Sequence, residues 1–181
     1  MIIKSLLKNL LRQFGYKISK IRQPSNHKQF GIRDLESLEA LNDAKGVLHL
    51  GAHKGNEAEV YSWFGKKVFW VEAIPYIYDQ LKDNIHPYKN QKAFCALLGD
   101  RDNLEKKFYI SSNDAASSSI YEFSANTLNG KYFPKRKLKM HKSVLLKTSK
   151  LDTILEKNNI LASEYDHWVV DLQGAELLAL K

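Results

Sequence analysis

A glycine-bounded turn and a carboxylate further along the chain are the residues best placed to do chemistry. Gly51-Ala52-His53-Lys54-Gly55 follows a short apolar run and precedes a helical pattern. Such a turn lets backbone approach a ligand closely. The helix behind it offers unpaired N–H groups and a positive dipole end to an anion, either phosphate or carboxylate. The spacing is Gly-x-x-x-Gly, neither the Gly-x-Gly-x-x-Gly of dinucleotide sites nor the Gly-Lys-Ser/Thr of a phosphate-binding loop. Alone it is a weak signal, and Glu72 strengthens it. Glu72 closes the next apolar run, 21 residues after Gly51, and an acid at about that distance accepts hydrogen bonds from a ribose diol. The plain alternative is an ordinary loop carboxylate. His49 and His53 straddle a strand–turn junction rather than one helix face, so they do not form the zinc pair of a helix, and no metal site is expected. Cys95 reads as a small buried apolar residue.

These residues need elements to hold them. Gly46–Leu50 and Lys67–Val71 read as short buried strands, and residues 91–98 as a third. Asn56 to Phe64 reads as a helix. Another starts at Pro75, whose fixed φ suits a first turn, and runs to about Asn84. The β-α-β-α-β order implies a parallel sheet with right-handed crossovers. Ligands of such sheets bind outside the carboxyl ends of the strands, where the strand order reverses. Further on, Lys106–Ile110 and Ser143–Lys147 read as strands of an insertion on one edge, separated by a serine-rich loop at 111–119. For Ser117, Ser118 and Ser119 a flexible loop is the default reading, and lining of an acceptor site the other. Leu151–Lys157 reads as a helix, His167–Asp171 as a strand, and a last helix starts near Ala175.

The ends and the charge add a second layer. The 181 residues carry a formal net charge of +8. No acidic residue precedes Asp34, whereas Lys4, Lys8, Arg12, Lys17 and Lys20 all do. Residues 1–21 follow helical periodicity through Ile3, Leu7, Leu10, Phe14, Ile18 and Ile21. A basic amphipathic helix of this kind either lies on an anionic membrane surface or docks on protein. No run is apolar enough for a membrane span, and no uninterrupted apolar core marks a signal peptide. Residues 22–33 read as a linker broken by Pro24, so the expected division is 1–33 and 34–181. Asp34 is the expected N-cap of a short helix over 34–44, with Leu35, Leu38 and Leu41 on one face. A second basic cluster spans Lys131 to Lys142. A single cysteine excludes a disulfide framework and fits a reducing cytoplasm.

Taken in order, six stretches resemble the FkbM family of methyltransferases. They are Val47-Leu-His-Leu-Gly-Ala-His-Lys-Gly55, Val71-Glu-Ala-Ile-Pro75, Ala96-Leu-Leu-Gly-Asp100, Ser118-Ser-Ile120, Lys150-Leu-Asp152 and Val170-Asp-Leu-Gln-Gly-Ala-Glu176. The resemblance covers roughly residues 46–181. It implies a Rossmann-like class I methyltransferase fold, mostly parallel with helices on both faces, and S-adenosylmethionine as cofactor. It further implies that Gly51, Ala52, His53 and Gly55 cradle the methionine end, that Glu72 binds the ribose, and that Ala96 and Leu97 lie near the adenine. Asp171 would face the methyl-transfer site. The implied activity is O-methylation of a sugar, glycan or natural-product hydroxyl. The acceptor must also lose a proton, and a base within hydrogen-bond reach helps. Asp171 is the first candidate and His53 the second. The plain readings are a hydrogen bond from Asp171 to the Gly51 turn and packing of His53 within it. Glu176 is expected to stabilise the start of its helix.

There are departures. The turn more often carries Asn where this chain has His53, and the strand often ends Asp-x-Gly where this one has His49-Leu50-Gly51. The family sheet normally has seven strands, and about four are found before Lys181, so the sheet is expected to be incomplete at the C-terminus. Acceptor specificity is expected to come from the insertion and the absent strands. Two other readings stay open. One is a non-catalytic fragment that binds cofactor or serves as an interaction domain. The other is an RNA-directed methyltransferase, motivated by the charge. Against a nucleic-acid partner, base methyltransferases carry Asn/Asp-Pro-Pro-aromatic where this chain reads Asp171-Leu172-Gln173-Gly174. The oligomeric state is not legible.

Overall fold

A computed structural model describes residues 32–124 and 138–181. The expected basic amphipathic helix at 1–21, most of the linker and most of the second basic cluster lie outside the described residues. The chain divides into two compact units, residues 1–36 and 37–181. Only residues 32–36 of the first are described, and every described strand belongs to the second. Among the described residues no helix is long and apolar enough to cross a membrane.

Helix α1 (Ile32–Asp43) begins two residues earlier than its sequence pattern suggests. Asp34 therefore falls inside the first turn rather than capping it, and Ile32 and Arg33 belong to the helix rather than the linker. After it come β1 (Gly46–Leu50), α2 (Ala58–Trp63), β2 (Lys67–Glu72), α3 (Pro75–Ile85) and β3 (Gln91–Cys95). The expected third strand breaks at Ala96, whose N–H bonds to the Glu72 carbonyl at 2.9 Å. Leu97–Leu98 (β4) then leave for a second sheet. Cys95, at that break, is only partly buried. The insertion supplies β5 (Glu105–Ser111) and β6 (Met140–Ser149). The chain continues through α4 (Leu151–Lys157), a 3-10 turn at Ala162–Glu164, β7 (His167–Val170) and α5 (Glu176–Ala179).

The main sheet runs β3-β2-β1-β7, all parallel. Strand order reverses between β1 and β7, which opens a crevice at their carboxyl ends. Both faces are covered, so β1 is buried along its whole length. On one face Val47, Val68 and Trp70 pack with Leu41 of α1, Ala58 and Tyr61 of α2, and Leu81 and Ile85 of α3. On the other, Leu48, Leu50, Phe69 and Val71 pack with Leu151, Ile154 and Leu155 of α4 and Ala179 of α5. The second sheet, β4-β6-β5, pairs β4 with β6 in parallel and β5 with β6 antiparallel. It shares a third apolar cluster, with Ile74, Ile77, Leu97, Phe108, Ile110 and Ala115.

Buried polar groups are paired. Lys66 donates to the Asn42 and Ala44 carbonyls at 2.7 and 2.8 Å, satisfying the end of α1. Gln91 accepts from the Trp70 indole at 3.1 Å and donates to the Ala58 carbonyl at 2.7 Å. His49 stacks on Trp70 at 4.7 Å, and its Nδ1 hydrogen-bonds the Tyr61 hydroxyl at 3.1 Å. Burial, assisted by the charge of His167, lowers the His49 pKa to about 4.

A histidine whose folded pKa lies below its unfolded value binds its proton more readily when unfolded. Its stabilising contribution is complete above about pH 6.5 and is lost as pH falls towards 4. We expect equilibrium unfolding to show about 3 kcal/mol of acid-linked loss from His49 in that window. His49→Gln should remove that component of the slope, and an unchanged slope would refute the assignment.

Candidate active site

The glycine turn sits at the carboxyl end of β1 because both of its leading amides fold back onto β2. The Gly51 and Ala52 N–H groups share the Val71 carbonyl at 2.9 and 3.0 Å. Gly51 has φ +84, and a Cβ built there would lie 2.0 Å from the Asp171 carbonyl oxygen. No side chain fits between the β1 turn and the β7 end.

A cavity of about 200 Å³ occupies the crevice. Gly51, Ala52, His53, Glu72, Ala96, Leu97 and Asp171 all line it, so these residues expected at the site are brought together. Gly55 is the exception. It closes the turn on its far side with φ +68, and a Cβ there would meet Leu81 of α3 at 2.5 Å. It packs against α3 and does not line the cavity. The deep end of the cavity is apolar, with Ile74, Leu98 and Phe108 buried there. Its mouth is polar, with Asn56, Glu57, Asp171 and Gln173.

Glu72 is only 6% exposed. Its Oε2 accepts the His53 N–H at 2.8 Å and its Oε1 the Ile74 N–H at 2.8 Å. Burial pushes the carboxyl above the ordinary carboxylate range, against the pull of the Ile74, His53 and Ala73 N–H groups. A carboxylate has about four lone-pair positions, and besides His53 and Ile74 the Ala73 N–H bears on this one.

His53 sits at φ +48. Its Nε2 lies 2.8 Å from the Asp114 carbonyl oxygen. A carbonyl only accepts, so Nε2 carries the proton, and in the neutral ring Nδ1 alone can act as a base. Asp171 donates its own N–H to the Leu50 carbonyl at 2.9 Å, and its Oδ1 accepts from Gln173 Nε2. Glu176 is partly exposed. Desolvation works against its charge, yet the N–H groups of Gly174 and Leu172 hold its carboxyl below the ordinary range. Its first role is to close the turn ahead of α5.

The serine-rich loop is cross-braced. Ser111 Oγ donates to Asn113 Oδ1 at 2.6 Å and accepts the Ser117 N–H at 3.0 Å. Ser118 lines the cavity and donates to the Ala115 carbonyl at 2.7 Å. Ser119 donates to the Gln173 carbonyl at 2.9 Å. Phe108, Ala115 and Ile120 join the cavity wall from this insertion. Sequence reasoning did not place them beside Glu72. Only the order of the Ser118-Ser119-Ile120 stretch among the other motifs hinted at it.

A family model described as the methyltransferase FkbM domain matches residues 49–181. No curated protein and no solved structure matches the chain.

The close approach at Gly51 has a measurable cost. Gly51→Ala should destabilise the fold by about 3 kcal/mol or more, since a left-handed φ and a backbone clash add together. Gly65 has φ +66 with nothing within 4 Å, so Gly65→Ala should cost about 1–2 kcal/mol. Denaturant unfolding of the two variants separates clash from conformation, and equal costs would disprove the close approach.

Proposed function

This chain belongs to the FkbM methyltransferase domain family, and on that premise we propose that it moves a methyl group from S-adenosylmethionine to a hydroxyl of a sugar, glycan or natural product. The observation that carries the reading is the carboxylate of Glu72. It is buried at the carboxyl end of β2, lines the cavity beside Gly51, and has acceptor capacity beyond its backbone N–H partners for a vicinal diol. The apolar end next to it suits a heterocyclic base, with Ala96 and Leu97 among its walls. Ala52 and His53 line the part of the cavity assigned to the methionine end.

The bound cofactor would supply an electrophilic methyl on a sulfonium. The chain's part is to hold the acceptor oxygen in line and take its proton. Orientation of this kind is worth several kcal/mol of barrier. Asp171 suits the general base, because it stands at the mouth with one oxygen steadied by Gln173. His53 is the second choice, through Nδ1. The polar rim of Asn56, Glu57, Asp171 and Gln173 suits a polyhydroxylated acceptor better than a nucleobase. The basic stretch 1–21 suits peripheral contact with an anionic membrane, and the solitary cysteine suits a cytoplasmic setting.

One observation favours a non-catalytic reading of Glu72. Both of its oxygens already serve backbone N–H groups, so its role could be confined to the turn. Calorimetric titration with S-adenosylmethionine separates the two. If the carboxylate accepts from a diol, affinity falls as pH drops through its pKa, because protonation removes an acceptor. That pKa is raised, so the loss begins above the ordinary carboxylate range. Glu72→Gln should weaken binding about tenfold or more and abolish this pH dependence. Wild-type chain that is folded and does not bind would sink the proposal.

A further inference from the structure

The insertion is expected from sequence to shape the acceptor side, and Ser119 does reach the Gln173 carbonyl, yet its apolar side chains line the other part of the cavity. The polar mouth is built by Asn56, Asp171 and Gln173. The deep wall beside Glu72 is the open face of the third apolar cluster. Ile74 and Leu97 reach it from the doubly wound part, and Phe108, Ala115 and Ile120 from the insertion.

The loop at 111–120 is fastened to the large sheet's turns at two places. Ser119 bonds to the Gln173 carbonyl. Asp114 meets the glycine turn twice, its carbonyl accepting from His53 Nε2 and its carboxylate pairing with Lys54. Between these points Asp114 and Ala115 are both left-handed, at φ +58 and +63. That conformation is unfavourable for non-glycine residues. The Ala115 methyl, only 5% exposed, is buried against the third cluster. The loop is thus pulled inward at the residue that follows its tether.

We propose that this loop is a clamp on the nucleoside end of the methyl donor, with Asp114 the positioning residue that fastens it to the glycine turn. The inference rests on the reading of the cavity as a S-adenosylmethionine site. Phe108 and Ile120 bear on the base together with Ile74 and Leu97, while Glu72 takes the diol. The pair Lys54–Asp114 is partly exposed, and such pairs hold weakly. The fastening therefore opens readily, as a strap over an exchanging ligand must. The donor enters and leaves when Asp114 detaches, and the acceptor approaches by the polar mouth, where Ser119 keeps the loop's other end on Gln173.

The test uses the full chain with S-adenosylmethionine, adenosine and L-methionine as probes. Equilibrium titration and stopped-flow dissociation are both recorded. Ile120→Ala should weaken S-adenosylmethionine and adenosine by a similar factor, about fivefold to tenfold, and leave L-methionine unchanged. Asp114→Ala, at an exposed position, should speed S-adenosylmethionine dissociation about tenfold with the melting temperature preserved. If Ile120→Ala fails to fold, the dissociation rate of Asp114→Ala decides. Wild-type affinity and dissociation rates in a folded Asp114→Ala would overturn the clamp while leaving the cofactor reading intact. Absence of S-adenosylmethionine binding by the wild type would overturn both.

Discussion

A carboxylate that is nine-tenths buried must find hydrogen-bond donors, and Glu72 finds them in the backbone of two different turns. The His53 N–H comes from the turn after β1, and the Ile74 N–H from the start of α3. One side chain therefore fixes the distance between the first and second crossover units at their ligand-binding ends. The geometry propagates. With His53 held, Gly51 is drawn against the Asp171 carbonyl, where no Cβ fits, and the β7 end is brought to the same crevice. The cost is desolvation of a charge, which appears as the raised pKa of Glu72. The cofactor role proposed for Glu72 rests on this buried carboxylate facing a cavity.

The second constraint comes from the insertion. A parallel sheet covered on both faces leaves its crevice open at the strand ends. Here β5, β6 and their loop close part of it by burying Phe108, Ile110 and Ala115 against Ile74, Ile77 and Leu97. The departure of Leu97–Leu98 from the line of β3 joins this small sheet to the large one. That break is the physical reason the expected strand over 91–98 divides. Ala96 bonds to the end of β2, and the two residues after it bond to β6 instead. The cavity has a dry end and a wet end as a result, and the chemistry proposed for each rests on that difference.

Much of the main sheet was legible in the chain. Gly46–Leu50, Lys67–Glu72 and His167–Val170 are apolar runs of strand length, and Pro75 marks the first turn of α3. These signals lie within a few residues of one another, and the backbone reads them locally. Asp34 misleads as a cap because a capping residue type is only a preference, and α1 starts before it. Gly55 shows that a positive φ can serve packing as well as a ligand, since Leu81 occupies the space beside it.

By itself the sequence determined the parallel order of the units, the glycine turn after β1 and the acid at the end of β2. Period, turn chemistry and strand length are local properties, and local properties survive translation into structure. Only the tertiary structure decided what those residues face. That both Glu72 oxygens serve the backbone, that His53 keeps its proton on Nε2, and that Phe108, Ala115 and Ile120 share a wall with Glu72 all depend on segments far apart in the chain. The contact between His53 and Asp114 spans 61 residues. Such a contact is set by how packed layers bring loops together, and burial and hydrogen-bond satisfaction select it only when the whole core has formed.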